Sequence, residues 1–388
     1  MIGRQYHLEG KCIYIAVTND LVIDQRVHRT ALTLLETGAK PVLVGFKRPG
    51  SQTLPERSYA TLRLSPVFQK GFLFYACVNL RLFFFLLFRN SGMLVSNDLD
   101  TLPGVFLVAR IKRIPLVFDS HEYFTELPEL VDRSFVRRVW KGFEKTLLPR
   151  IQYGYTVCQS ISHAYQDKYG IRLAVVRNLP ITSGWDPDIN THTESNRPET
   201  IIYQGALNKG RGLETMIRAM TYLDKYRLQI FGDGTITQDL HRLRDSLSLG
   251  SRVEFMGRVP FGELSEYTRQ ATLGISLEEN IGLNYYYTLP NKLFDYIQAQ
   301  IPVLVSDLPE MKRIVSDYAI GQVVRNRDPE ILARQVEEMM SSEELRKRWK
   351  KNLHVAAAEL CWENEVDKLR DVYRDAGLVF PVIPPSPE

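Results

Sequence analysis

Cysteine is scarce: four in 388 residues, at Cys12, Cys77, Cys158 and Cys361. These positions are far apart and none has zinc-ligand or redox spacing. That argues against a zinc module or a disulfide scaffold and for free thiols in a reducing compartment. Long apolar runs are also missing. The apolar stretches 71–80 and 82–88 are separated by Arg81 and closed by Arg89, whereas a membrane-spanning helix needs about 20 apolar residues. The first residues carry Lys11 and a short apolar run before Asn19, which is not the pattern of a signal peptide. No repeat at periods of 20–50 residues and no dense basic run is present. The net charge of +4 is too small to argue for nucleic acid; it suits anionic small molecules or a membrane surface.

The composition, 44% hydrophobic and 24% charged, is that of an ordinary globular protein, and the length allows two or three domains. Strand and helix signals alternate along most of the chain, which predicts an α/β fold of parallel sheets. Residues 12–17 read as a strand and 25–36 as a helix ended by Gly38, with a second strand at 41–45. Asp24 and Arg26 fall at the helix entrance on the ligand edge; Asp24 suits an acceptor contact and a helix N-cap equally well. Residues 67–88 form a helix apolar on all sides, expected to be buried, although Lys70, Arg81 and Arg89 among aromatics also suit a membrane interface. Asp98-Leu99-Asp100 has the look of a metal-binding D-x-D element. It is read instead as a cap for a helix starting near Thr101, so no metal is expected. A strand at 114–118 runs straight into Asp119-Ser120-His121-Glu122-Tyr123, placing His121 and Glu122 where parallel sheets bind ligands.

Residues 178–198 are rich in Pro, Asn, Thr, Asp and Ser and read as a linker. The alternation then restarts. Residues 200–203 form a strand and 205–212, GALNKGRG, a glycine-bearing loop with Gly205, Lys209 and Arg211. Backbone N–H groups and an arginine at such a place make a phosphate cradle. Gly232 and Gly234 make another tight turn on the same edge, and Arg258 follows the next strand. The densest stretch is 274–310. A strand is followed by a polar and aromatic loop carrying Glu279, Asn280 and Ile281, then by Leu289-Pro290-Asn291-Lys292 at the start of a helix. Free N–H groups at that end attract anions, and Lys292 adds a full charge. Asp295 lies one turn further along the same face and suits a ribose diol. One long helix is expected over 330–358 and a last one over 362–375. The tail 381–388 reads as loose.

Four segments together resemble the family 4 glycosyltransferases. They are Asp24-Gln25-Arg26-Val27, Phe118-Asp119-Ser120-His121-Glu122-Tyr123, Tyr203-Gln204-Gly205-Ala206-Leu207 with Gly210-Arg211-Gly212-Leu213, and Leu289-Pro290-Asn291-Lys292-Leu293-Phe294-Asp295-Tyr296. In this order they cover residues 12–375. The resemblance implies the B-type glycosyltransferase fold: two doubly wound Rossmann-like domains facing across a cleft. It places the first domain at 1–178, with 362–388 returning to it, and the nucleotide-sugar domain at 179–361. It implies retaining transfer from a nucleotide sugar to a glycan or lipid-linked acceptor, without a cofactor, in the cytoplasm or at the inner face of the membrane. In that pattern His121 and Glu122 act with Arg211 and Lys292 in catalysis. Gly205, Lys209, Gly232, Gly234, Arg258, Glu279, Asn280, Ile281, Leu289, Asn291 and Asp295 line the donor, and Asp24 and Arg26 the acceptor. The chain departs from the pattern at Tyr287, where the first of two spaced glutamates would fall, at Ala206, where an arginine is usual, and in lacking paired glycines after the first strand. Glu278 and Glu279 both stand as substitutes for that glutamate. Those departures keep two other readings open, an epimerase or hydrolase of the same fold and a sugar-nucleotide-binding partner without catalysis.

Overall fold

A computed structural model describes residues 11–22, 24–182 and 199–380. The chain divides into two compact units, one made of Met1–Asn178 with Glu365–Glu388 and the other of Leu179–Asn364. Most of the expected linker, residues 183–198, and the tail 381–388 lie outside the described residues.

The first unit opens with β1 (Cys12–Ala16), α1 (Gln25–Leu35) and β2 (Lys40–Phe46). It continues through β3 (Ala60–Leu64), α2 (Gly71–Leu87), β4 (Ser91–Asn97), α3 (Asp98–Lys112) and β5 (Leu116–Ser120). Then come α4 (Pro128–Val131), α5 (Ser134–Leu147), β6 (Tyr153–Thr156), α6 (Gln159–Tyr169) and β7 (Ala174–Val175). Its seven parallel strands lie in the order β3-β2-β1-β4-β5-β6-β7. β4 is buried along its whole length, as a strand covered on both faces must be.

The second unit runs β8 (Thr200–Gln204), α7 (Leu213–Ala219), β9 (Arg227–Phe231), α8 (Thr237–Ser246), β10 (Val253–Gly257), α9 (Phe261–Gln270) and β11 (Leu273–Ser276). It goes on through α10 (Leu283–Tyr286), α11 (Asn291–Gln298), β12 (Val303–Val305), α12 (Pro309–Tyr318), β13 (Gly321–Val323), α13 (Pro329–Ser341) and α14 (Glu343–Glu359). Its six parallel strands lie in the order β10-β9-β8-β11-β12-β13. A final helix, α15 (Val366–Asp375), belongs to the first unit, where it packs on β6 and α1.

Strand order reverses between β1 and β4 in one sheet and between β8 and β11 in the other. The carboxyl ends of strands beside such a reversal are where open α/β sheets take ligands.

Three expectations are corrected. α2 is not buried all round: Phe74, Val78, Leu82 and Leu86 face the core, while Phe72, Leu80 and Phe84 are 62%, 59% and 56% exposed. A helix laid on a sheet and a neighbouring helix has only one stripe to bury. The charged segment 330–358 is two helices, because Ser342 takes extended backbone and its hydroxyl accepts from Leu345 N, capping α14. Asp98 and Asp100 do not cap a helix from Thr101: α3 begins at Asp98, and both carboxylates turn to partners on other loops.

Candidate active site

In the second unit the loops after β8 and β11 meet. Gly212 has φ 70°, and a Cβ there would stand 2.2 Å from the Leu277 carbonyl oxygen, so the close approach requires glycine. Glu279 N donates to Gly210 O at 2.8 Å, joining the two loops. Arg327 fastens the β11 end from below, donating to Leu277 O, Glu278 O and Ser306 Oγ at 3.1, 2.5 and 2.7 Å.

Glu278 lies at the centre of this junction with its carboxylate sealed from water. Lys292 Nζ is 2.8 Å from Glu278 Oε1, Arg211 Nη1 is 3.5 Å from the same oxygen, and Ser276 Oγ donates to Oε2 at 2.7 Å. Burial pushes the Glu278 carboxyl up, but Lys292 and Arg211 outweigh it and hold the group below the usual glutamate value. Lys292 is only 7% exposed, and its ammonium rests 3.9 Å from the centroid of the Tyr203 ring. It also borders Gly205, whose φ of 135° sets the start of the loop. Arg211 stacks 4.9 Å from the centroid of Tyr285.

Asp295 is tied to the same loop base. Gln204 Nε2 donates to Asp295 Oδ2 at 2.7 Å, and Thr268 Oγ1 holds Gln204 Oε1 at 2.9 Å. The structure therefore brings together Gly205, Arg211, Lys292 and Asp295. Gly232 supports them from β9: its φ is 127°, and a Cβ there would stand 1.9 Å from Gly205 O. Gly234 approaches Leu207 O in the same way. Lys209, Asn280, Ile281 and Asn291 are exposed, Glu279 and Leu289 half-buried. Arg258 is exposed too, 3.7 Å from Asp233.

In the first unit the loops after β1, β4 and β5 meet around His121. Its Nε2 lies 2.9 Å from Asp119 Oδ2, its backbone N–H donates to Asp98 Oδ1 at 2.8 Å, and its Nδ1 is 3.8 Å from Asp98 Oδ2. Asp119 is fully buried and also held by Arg26, through Nε at 3.1 Å and Nη2 at 2.7 Å. Arg26 donates its remaining arm to Val176 O at 2.9 Å, so the guanidinium serves the interior of the unit. Burial raises the Asp119 carboxyl and Arg26 and His121 lower it, to about 2 on balance. Burial likewise lowers the His121 imidazole, but Asp119 and Asp98 raise it to about 9. Thr18 Oγ1 donates to Asp100 Oδ2 at 2.7 Å, closing the β1 side. Asp24 caps α1, accepting from Val27 N at 3.1 Å, and Glu122 is exposed.

Sequence reasoning left Glu278 and Glu279 undivided and gave no role to Tyr203, Gln204, Arg327 or Thr18. The signal for Glu278 was its place directly after a buried strand, the same signal that picked out His121. Among the described residues no group of three or more His, Cys, Asp or Glu is arranged to hold a metal ion.

Residues 186–354 match the family model described as glycosyl transferases group 1. An uncharacterized glycosyltransferase of Methanocaldococcus jannaschii is 23% identical over 176 residues, 45% of this chain and 47% of the archaeal protein. That match spans about half the relative's length. The α-D-kanosaminyltransferase of Streptomyces kanamyceticus is 24% identical over 293 residues, 70% of this chain and 74% of its own. Among solved structures, sucrose-phosphate synthase of Thermosynechococcus elongatus superposes with a TM-score of 0.77 at 16% identity, covering 94% of this chain and 98% of that one. HepE of Anabaena, in complex with UDP-glucose, gives 0.73 at 13% identity, covering 94% and 99%. The chain thus has the B-type glycosyltransferase fold, and most of its second unit matches the group 1 glycosyl transferase model.

Proposed function

We propose that this chain is a retaining glycosyltransferase that moves a sugar from a nucleotide sugar to a glycan or lipid-linked acceptor. The observation that carries the reading is the convergence of Arg211 and Lys292 beside the Gly205 loop, at the strand-order reversal of the second unit. Departure of a nucleoside diphosphate needs stabilised negative charge, and two fixed cations in a site partly closed to water supply it. Asp295, half-exposed and anchored by Gln204, takes the ribose diol. His121 acts on turnover rather than on nucleotide binding.

HepE was crystallised with UDP-glucose, which supports a nucleotide-sugar donor. Calorimetry with UDP-, GDP- and ADP-sugars, followed by nucleoside diphosphate release with and without acceptor, tests the reading. One donor should bind, its release should rise with acceptor, and the product anomer should keep the donor's configuration by NMR. Release independent of acceptor marks a hydrolase or epimerase, and binding without turnover marks a catalytically silent partner.

The lipid-linked form of the acceptor is supported by α2. Its exposed stripe of Leu73, Leu80 and Phe84, continued by Phe88 at the C-cap, runs for about 22 Å. No Asp or Glu occurs from residue 57 through 97, while Arg57, Arg63, Lys70, Arg81 and Arg89 do. An apolar helix face in a basic segment suits the surface of an anionic bilayer. No helix of the described residues is long and apolar enough to cross a membrane. The protein should co-sediment with vesicles containing anionic lipid and not with neutral ones, and Phe84→Ser with Arg81→Glu should abolish this. Failure to co-sediment with either vesicle type removes the membrane from the reading.

A further inference from the structure

Asp98 joins an unfavourable backbone to an unusual set of neighbours. Its φ of 58° is left-handed, a region that residues other than glycine seldom occupy. It takes this conformation at the first position of α3, directly after a buried strand. Strain of this kind persists only where the surroundings hold it. Here Oδ1 accepts the His121 backbone N–H at 2.8 Å, while Oδ2 stands 3.8 Å from His121 Nδ1, beyond hydrogen-bond reach. The other ring nitrogen is engaged: Nε2 lies 2.9 Å from Asp119, which Arg26 fixes in turn. Rotating the ring would break that contact, so Nδ1 stays on the Asp98 side.

We propose that Asp98 is the positioning residue of His121: its carboxylate fixes the loop at the His121 N–H and keeps the imidazole a cation whose Nδ1–H meets a sugar oxygen. The sugar as ligand rests on the glycosyltransferase reading; the tie between Asp98 and the ring does not. Charged groups face both partners. His121 meets Asp119, Asp98 and Arg26, and Asp98 meets His121, Asp100 and Glu122. Burial raises the Asp98 carboxyl although His121 pulls it down, and Asp119 and Asp98 raise the His121 imidazole against its own burial.

The test follows the His121 ring resonance of the full chain by NMR through a pH titration, assigned by its loss in His121→Gln. In Asp98→Asn the titration midpoint should fall by about one pH unit or more. Asp98→Gly, which suits the left-handed backbone, should keep the fold and show the same fall, so a damaged Asn variant is recognisable by comparing the two melts. Both should lower kcat roughly tenfold or more and leave KM for the nucleotide sugar within about twofold. A midpoint unmoved in both variants overturns the proposal, as does KM rising in step with the loss of kcat. If the midpoint falls but the wild-type chain turns over no nucleotide sugar, the functional reading fails and the tie between Asp98 and His121 stands.

Discussion

At Glu278 two cations meet one carboxylate that water does not reach. Removing one member of a buried pair strands the other, and such losses amount to roughly 3–5 kcal/mol. Glu278→Gln should therefore destabilise the second unit by about 3 kcal/mol in denaturant melts, because Lys292 stays buried without its counter-charge. An unchanged midpoint would mean that the pair contributes nothing. Arg211→Ala should weaken a nucleoside diphosphate far more than the bare nucleoside, since a guanidinium grips phosphate oxygens in pairs; equal losses in calorimetry would place Arg211 elsewhere. His121 carries a pH signature. Its value is raised from 6.5 to about 9, so the stability it contributes is complete below about pH 6.5 and is lost as pH rises through 9. Asp119 works in the other direction: lowered to about 2, its contribution is present above about pH 4 and lost as pH falls through 2. Thermal melts of wild type and His121→Gln should thus converge between pH 6.5 and 9, with the wild type losing its advantage. A constant gap across that range would contradict the charged-ring assignment.

At the scale of elements, the turn after β9 holds up the loop after β8. Gly232 N donates to Gly257 O at 2.7 Å, Gly205 N donates to Phe231 O at 3.0 Å, and the two glycines touch. Gly232→Ala would force a Cβ against the Gly205 carbonyl at φ 127°, and strained backbone of this sort amounts to about 1–3 kcal/mol before any overlap. The variant should melt lower and bind nucleoside diphosphate more weakly; retention of both would show that the loop adapts. These loops were legible in the sequence because a glycine cluster after an apolar run has few other uses. The strand–helix alternation was legible for the same reason, an apolar period changing at each turn. The facing of α2 was not, since Phe72 and Phe74 are the same residue type and only the packed neighbours decide which is buried. β3 escaped because ATLRL, at the sheet edge, has no continuous apolar run. Asp98 and Asp100 misled because a carboxylate before a helix usually caps it; the Thr18 and His121 donors that claim them lie 82 and 23 residues away.

At the scale of the molecule, both units use one plan, a parallel sheet whose order reverses beside its first strand, and each gathers its charged side chains at that reversal. One cluster gathers two cations around a buried carboxylate, and the other orders a histidine among carboxylates. In the proposed mechanism the fixed cations leave a divalent ion little to offset, and Asp98 and Asp100 are turned to His121 and Thr18. Transfer is expected to continue near its normal rate in excess EDTA. Loss of turnover that magnesium or manganese restores would overturn the metal-free reading.

The placement of α15 bears on the order in which the chain can fold during synthesis. Tyr373 is fully buried, its hydroxyl 3.5 Å from that of Tyr155 on β6, and Arg370 bridges to Glu36 beyond α1. These partners leave the ribosome more than 200 residues before α15 does. The second unit is contiguous and has all its strands in hand by residue 323. The first unit, begun earliest, is thus the last to be completed. Until α15 emerges, Tyr155 and the Arg26 guanidinium beside it lack the cover that Tyr373 supplies.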